Sequence, residues 1–287
     1  MVEDVSGLHP GIQHLSDLCT LLLSLPPLPH LTPQIYSLLA LLLSPPPAKD
    51  ADTPIMIPSQ LPNLPVILNA LISSPPHSSA PQDQIEYITA LSSGMIKLSM
   101  QDAYLSANEY FSKAWTTLWS NILIAPSTAP EARRQAVQGL GSQGLIKYCI
   151  SDEMIDRALE YKMQGGDLEA KRQKMKPPLL TKIINQLEKA MSTQPLLLQY
   201  LLPVLTALIS RLRYRPATAS ANASSRSKRD AAAYILIKDL IVEIADLRSQ
   251  PTFEHKEKVD DVIGMAFEVV GVEAVLDSLP LNIEPDA

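Results

Sequence analysis

Apolar residues recur at spacings of three and four along most of this 287-residue sequence, which is the period of an amphipathic α-helix. No set of segments alternates between apolar and polar residues as half-buried strands do. The fold class predicted from this pattern is therefore all-α. The predicted helices lie near 11–24, 34–44, 61–73, 82–100, 103–122, 130–149, 152–164, 178–192, 195–213, 231–248 and 254–271, with a short helix at 272–278.

Prolines, of which the chain has 25, lie at most of the breaks between these helices. Two connections are longer than the others. Residues 45–60 are rich in proline, serine and aspartate, and residues 216–230 are rich in alanine and serine. We predict that both connections are solvated loops.

About a dozen helices in sequence allow either a closed bundle or an open stack of helix pairs, an α-solenoid. Four candidate pairs each occupy about forty residues, the repeat length of HEAT-type solenoids. We therefore expect one α-solenoid domain over 1–287, built from HEAT-like antiparallel pairs. The candidate pairs span 61–100, 103–149, 178–213 and 231–271.

Residues 139–144 read GLGSQG, which has the G-x-G-x-x-G spacing of a dinucleotide-binding loop. That loop needs a buried strand before its first glycine, whereas the residues here are charged and helix-forming. The stretch PEARRQAVQGLG, 130–141, resembles instead the second helix of a HEAT repeat. We predict that its small residues allow close helix packing. The matching positions are Arg133, Ala136, Gly139, Leu140 and Gly141.

The candidate chemistry is sparse. Cys19 and Cys149 lack metal-ligand spacing, so we expect reduced core residues of an intracellular protein. The five histidines are scattered, and we find no nucleophile–base pair, P-loop or metal motif. We therefore expect no enzyme, no cofactor and no small-molecule substrate. The apolar runs 18–25 and 35–43 are too short to cross a bilayer, and no membrane association is expected.

The net charge of −6 conceals a strong local pattern. Residues 151–230 carry 14 basic and 8 acidic side chains, whereas residues 231–287 carry 4 and 12. Residues 1–150 carry 6 basic and 10 acidic side chains. A basic middle segment therefore lies between acidic flanks, and the local potential matters more than the total.

Two basic clusters in the middle segment are candidate contacts for RNA phosphates. Tyr214 lies between two arginines, where its ring could stack on a base. Within the second cluster, the basic groups on either side of residues 216–225 also match a bipartite nuclear localisation signal, whose charge serine phosphorylation would cancel. The alternative is a solvated loop with no ligand. The clusters comprise Lys171, Arg172, Lys174 and Lys176, leading to Lys182, and then Arg211, Arg213, Tyr214, Arg215, Arg226, Lys228 and Arg229.

Residues 259–284 resemble the ribosomal RNA-processing protein 12 family of large HEAT-repeat proteins. The shared pattern is a helix ending in glycine, then an apolar helix closing on Leu-Pro-Leu-Asn. Val272 departs from the family, which often has proline there. The matching residues are Gly271, Glu273, Leu276, Leu279, Pro280, Leu281, Asn282 and Ile283.

The resemblance implies a nuclear and nucleolar scaffold that contacts pre-ribosomal RNA, particle proteins and nuclear transport factors. Its implied roles are pre-ribosomal RNA processing and nuclear export of subunits. We expect the chain to be a fragment of a longer solenoid, with an exposed apolar face near its C-terminus. The alternative is a protein-only adaptor for transport or trafficking, whose acidic segments hold basic partners.

Overall fold

The computed structural model describes residues 10–24, 31–43, 63–76, 80–101, 105–165, 176–215 and 231–276. Every regular element in these ranges is helical, so the predicted all-α class is confirmed. The predicted loops 45–60 and 216–230 lie outside the described residues. The α-helices are α1 (Pro10–Ser24), α2 (Thr32–Leu43), α3 (Leu64–Ser73), α4 (Pro81–Gln101), α5 (Leu105–Thr116), α6 (Pro130–Leu140), α7 (Leu145–Cys149), α8 (Asp152–Met163), α9 (Leu179–Thr193), α10 (Leu198–Arg211), α11 (Ala232–Ser249), α12 (Lys256–Val270) and α13 (Val272–Leu276).

The helix predicted at 103–122 changes its winding along its length. Helix α5 continues as a π-helix over Thr117–Leu123, where the Ile124 amide donates to the Trp119 carbonyl over 3.0 Å. The Thr117 hydroxyl donates back to the Lys113 carbonyl, which disturbs the regular α-helical bonding. The rings of Trp115 and Trp119 stack in the core with centroids 5.5 Å apart.

The chain forms two compact units, Met1–Cys149 and Ile150–Ala287. The expectation of one domain over 1–287 stays a prediction. In the first unit, α1 and α3 run parallel, and their ends lie side by side. Asn63, just before α3, donates to Asp17 in the middle of α1 over 2.6 Å, and Ser74, just after α3, donates to the Leu23 carbonyl near the end of α1 over 2.9 Å.

A second layer of the first unit contains α2, α4 and α6. The rings of Tyr36 and Tyr87 meet edge to face with centroids 5.1 Å apart, which places the start of α2 beside that of α4. Gln135 of α6 donates to Thr89 of α4 over 3.1 Å, across 46 residues of chain. The Tyr87 hydroxyl donates to the Leu71 carbonyl, so α4 begins where α3 ends. Consecutive helices are thus antiparallel pairs stacked in two layers, the HEAT-like α-solenoid arrangement that was predicted.

The glycines of 139–144 serve helix packing, as predicted, and they also form a turn that was not predicted. A Cβ on Gly139 would lie 3.3 Å from Ile88 Cγ2 and from Ser92 Cβ, so α6 approaches α4 closely there. A Cβ on Gly144 would lie 2.0 Å from the Gly139 carbonyl oxygen, so the turn after α6 is tight. This turn divides the predicted helix 130–149 into α6 and α7. The motif follows a helix rather than a strand, which rules out the dinucleotide-binding loop.

The second unit repeats the arrangement with α10 and α12. Lys258 donates to the Gln199 carbonyl over 2.7 Å near the starts of the two helices. Arg213 and Glu268 form an ion pair near their ends, so α10 and α12 run parallel. Arg248 at the end of α11 binds Asp260 at the start of α12, which makes α11 and α12 an antiparallel pair.

Among the described helices, none alone is long and apolar enough to cross a bilayer. Helix α9 and the segment Pro195–Arg211 meet the criteria of length and composition together, but they are bent by 111° where they join.

The short helix predicted at 272–278 is observed as α13. Val272 is exposed and Val275 is buried. Residues 277–287 lie outside the described residues, and the expected exposed apolar face stays a prediction.

We expect Gly139→Leu to destabilise the fold by about 1–3 kcal/mol, because the new side chain overpacks the contact with Ile88 and Ser92. The matched control is Gly264→Leu in α12, where a Cβ would have no neighbour within 4 Å. Replacing a helical glycine at an open position stabilises by up to about 1 kcal/mol. Urea unfolding followed by circular dichroism measures both changes. Equal effects of the two substitutions would contradict the packing role of Gly139.

We expect neither cysteine to react with a thiol reagent at pH 8 in the native protein. Burial raises the pKa of Cys149 to about 12 and also raises the pKa of Cys19, so both stay protonated there. Titration with Ellman's reagent measures the reactive thiols. Denaturing the protein in urea should expose both cysteines of the chain. Rapid reaction of either thiol before urea is added would be the contrary result.

Candidate functional site

The structure describes six of the residues predicted to contact phosphate. Lys176 is exposed just before α9, Lys182 is exposed within α9, and Arg211, Arg213, Tyr214 and Arg215 lie at and after the end of α10. The other predicted site residues lie outside the described residues: Lys171, Arg172, Lys174, Arg226, Lys228 and Arg229.

The segment 211–215, which we call the clasp, is fixed against the start of α11. The amide of Ala232 donates to the Tyr214 carbonyl over 2.9 Å, and that of Ala233 donates to the Leu212 carbonyl over 3.1 Å. Ala231, Ala232 and Ala233 are fully buried. Their small side chains allow the clasp to pass close to the backbone of α11, so its conformation is held by main-chain bonds.

Arg211 joins the clasp to the start of α8. Its Nε donates to the Ile150 carbonyl over 2.7 Å, and its Nη2 donates to Asp152 Oδ1 over 2.7 Å. The side chain is only 21% exposed. Nε and Nη2 of the guanidinium therefore both bind residues 150–152 at the start of α8. Charge-assisted bonds of this kind are among the stronger hydrogen bonds in proteins.

Arg213 and Arg215 bind the end of α12. Arg213 pairs with Glu268 over 2.5 Å, and the two side chains are 56% and 58% exposed. Arg215 donates to the Val269 carbonyl over 3.2 Å. A cation near the last carbonyls of a helix is favoured by the helix dipole. The two arginines therefore neutralise the end of α12 from its solvent side.

Tyr214 points back to α8. Its hydroxyl donates to Asp156 Oδ2 over 3.1 Å, and this hydrogen bond raises the pKa of Tyr214. The predicted stacking of the ring on a base stays a prediction. Within the protein, the residue acts as a polar link between the clasp and α8.

The clasp therefore connects the ends of α10 and α12 with the starts of α8 and α11. Sequence reasoning missed its anionic partners, since Asp152, Asp156 and Glu268 lie between 55 and 59 residues away along the chain. A weak signal was available, because Asp152 stands at a helix start, where the helix dipole already explains an acidic residue.

Uncompensated positive charge lies elsewhere in the second unit. Among its described residues, four exposed lysines have neither an ion pair nor a side-chain hydrogen bond. Three of them belong to α9 and the residues just before it. The four are Lys176, Lys182, Lys189 and Lys256.

Within the described ranges, no group of three or more histidine, cysteine, aspartate or glutamate side chains could hold a metal ion.

The comparison with known families decides the identity. The HEAT-repeat model of ribosomal RNA-processing protein 12 matches residues 126–287, which is more than half of the chain. The chain belongs to this family. The predicted family resemblance is therefore confirmed. The match begins just before α6 and contains both basic clusters and the clasp. No curated protein and no solved structure matches the chain.

In this family member, we expect Arg211→Ala to lower the free energy of unfolding by about 2 kcal/mol. It removes bonds to a charged partner and leaves the Ile150 carbonyl without its donor. Arg213→Ala is the matched control, and exposed ion pairs contribute about 0–1 kcal/mol. Chemical denaturation of the two variants measures the difference. A loss from Arg213→Ala as large as that from Arg211→Ala would show that burial does not distinguish the two arginines.

Proposed function

We propose that this chain is part of a non-catalytic HEAT-repeat scaffold of ribosome biogenesis. It binds pre-ribosomal RNA and particle proteins in the nucleus and nucleolus, and it assists pre-ribosomal RNA processing and nuclear export of subunits. The observation that carries the proposal is the family match over residues 126–287. The stacked helix pairs support it, since such stacks offer extended surfaces to large partners.

The basic middle segment supports the contact with RNA. Phosphate contacts position a protein on nucleic acid, and specificity for folded RNA comes largely from shape. Lys171, Arg172, Lys174, Arg226, Lys228 and Arg229 stay proposed contacts. Within the clasp, an RNA phosphate has to replace Glu268 as the partner of Arg213, so this contact exchanges one anion for another.

A protein-only adaptor is the second candidate, and one feature favours it. Asp239, Glu243 and Asp246 are exposed at helical spacing along one face of α11. Such a face attracts a basic protein segment rather than RNA. On this acidic face, Asp239 has a cation near it, because Lys162 Nζ lies 3.9 Å from its Oδ2.

The proposal predicts that the epitope-tagged chain co-sediments with pre-ribosomal particles and enriches pre-ribosomal RNA in nuclear extract. Brief ribonuclease treatment should move most of it to light fractions, because RNA phosphates supply much of its attachment. Gradient sedimentation with northern blotting measures both effects.

The control variant is Asp239→Asn, Glu243→Gln and Asp246→Asn together. The scaffold should keep its sedimentation when this acidic face is neutralised. Loss of sedimentation in the variant, combined with resistance of the unaltered chain to ribonuclease, would favour the adaptor and contradict the scaffold's contact with RNA.

A further inference from the structure

We propose that the exposed face of α9 is a contact surface for the sugar-phosphate backbone of RNA. The lysine face, as we name it, consists of Lys176, Lys182 and Lys189. This inference rests on the proposed function and assigns its RNA contact to a specific surface. It also distinguishes the two basic clusters, since the described lysines of the first lack ion-pair partners whereas the arginines of the clasp already bind carboxylates and carbonyls.

Most described cations of the second unit already have a partner within the protein, whereas the lysines of α9 do not. Besides Arg248, seven cationic side chains there already bind carboxylates, carbonyls or a phenol: Arg157, Lys162, Arg211, Arg213, Arg215, Lys238 and Lys258. Arg248 binds Asp260. Among the described cations, those left without such a partner concentrate at α9. A polyanion that approaches this face displaces counterions rather than an existing ion pair.

The folding of α9 itself places Lys182 and Lys189 outward, and Lys176 is exposed just before the helix. One side of the helix is buried, which leaves the opposite side for polar residues. Lys182 and Lys189 are seven residues apart, or about 10 Å along the axis and two turns, so they lie on the same face. The buried residues are Leu180, Ile183, Ile184, Leu187, Ala190 and Met191.

The positive charge of the lysine face suits a polyanion, and the proposed function identifies that polyanion as RNA. Glu188 is the one acidic residue within α9, and no acidic residue lies in its first turn. A rigid helix with two unpaired lysines two turns apart therefore suits a regular sugar-phosphate chain.

The test measures binding of the full chain to a fluorescein-labelled RNA hairpin between about 50 and 200 mM salt. The variant is Lys182→Gln with Lys189→Gln. Each lost phosphate contact should reduce the slope of log affinity against log salt by about 0.7–0.9, so the variant should lose about 1.4–1.8. The charge-matched control, Lys147→Gln with Lys256→Gln, alters two exposed lysines outside α9 and should keep the slope. Lys182→Arg with Lys189→Arg should also keep it, which separates charge from folding.

Three results would overturn the inference. If the unaltered chain does not bind the hairpin at low salt, the proposed RNA contact fails together with the lysine face. If the chain binds with a steep slope that the glutamine variant shares with its control, the proposed function stands and the lysine face is wrong. If a fluorescein-labelled polyglutamate peptide binds more tightly than RNA and needs the same lysines, the partner is an acidic protein.

Discussion

The close approach of α6 to α4 sets the distance between these two helices of the first unit. An amphipathic helix cannot bury its apolar face alone, so each pair depends on the next for its core. Gly139 removes the side chain that would hold α6 away from Ile88 and Ser92. Gln135 can then reach Thr89, and the apolar residues of both helices close over the same core. This contact thus joins α6 to α4 in the layer of parallel helices.

Much of the fold could be predicted from the sequence because the helical period continues without interruption between the prolines that separate the helices. The predicted helix at 178–192, for example, is observed at Leu179–Thr193. The failures have local causes that periodicity does not report. The turn at Gly141–Gly144 keeps an apolar pattern across a break, and the π-helix at Thr117–Leu123 keeps the pattern while its bonding changes.

The candidate site was less accessible to sequence reasoning. A run of arginines in 211–215 is indistinguishable along the chain from a solvated basic loop, because its partners are contributed by distant helices. Only the fold reveals that Arg211 reaches Asp152, whereas Lys182 and Lys189 stay unpaired. Lys189 was not predicted as a site residue, although its spacing from Lys182 on an amphipathic helix was a readable signal.

The stacked indoles of Trp115 and Trp119 have a consequence for how this protein can be observed. They are the two tryptophans of the whole chain, and both are buried in the first unit. Intrinsic fluorescence excited at the indole band therefore reports on Met1–Cys149, whereas circular dichroism senses the helices of both units. Unfolding curves recorded by the two signals will coincide if the units melt together and will separate if each melts by itself. The fluorescence of these two tryptophans, compared with circular dichroism, thus shows whether the two units unfold cooperatively.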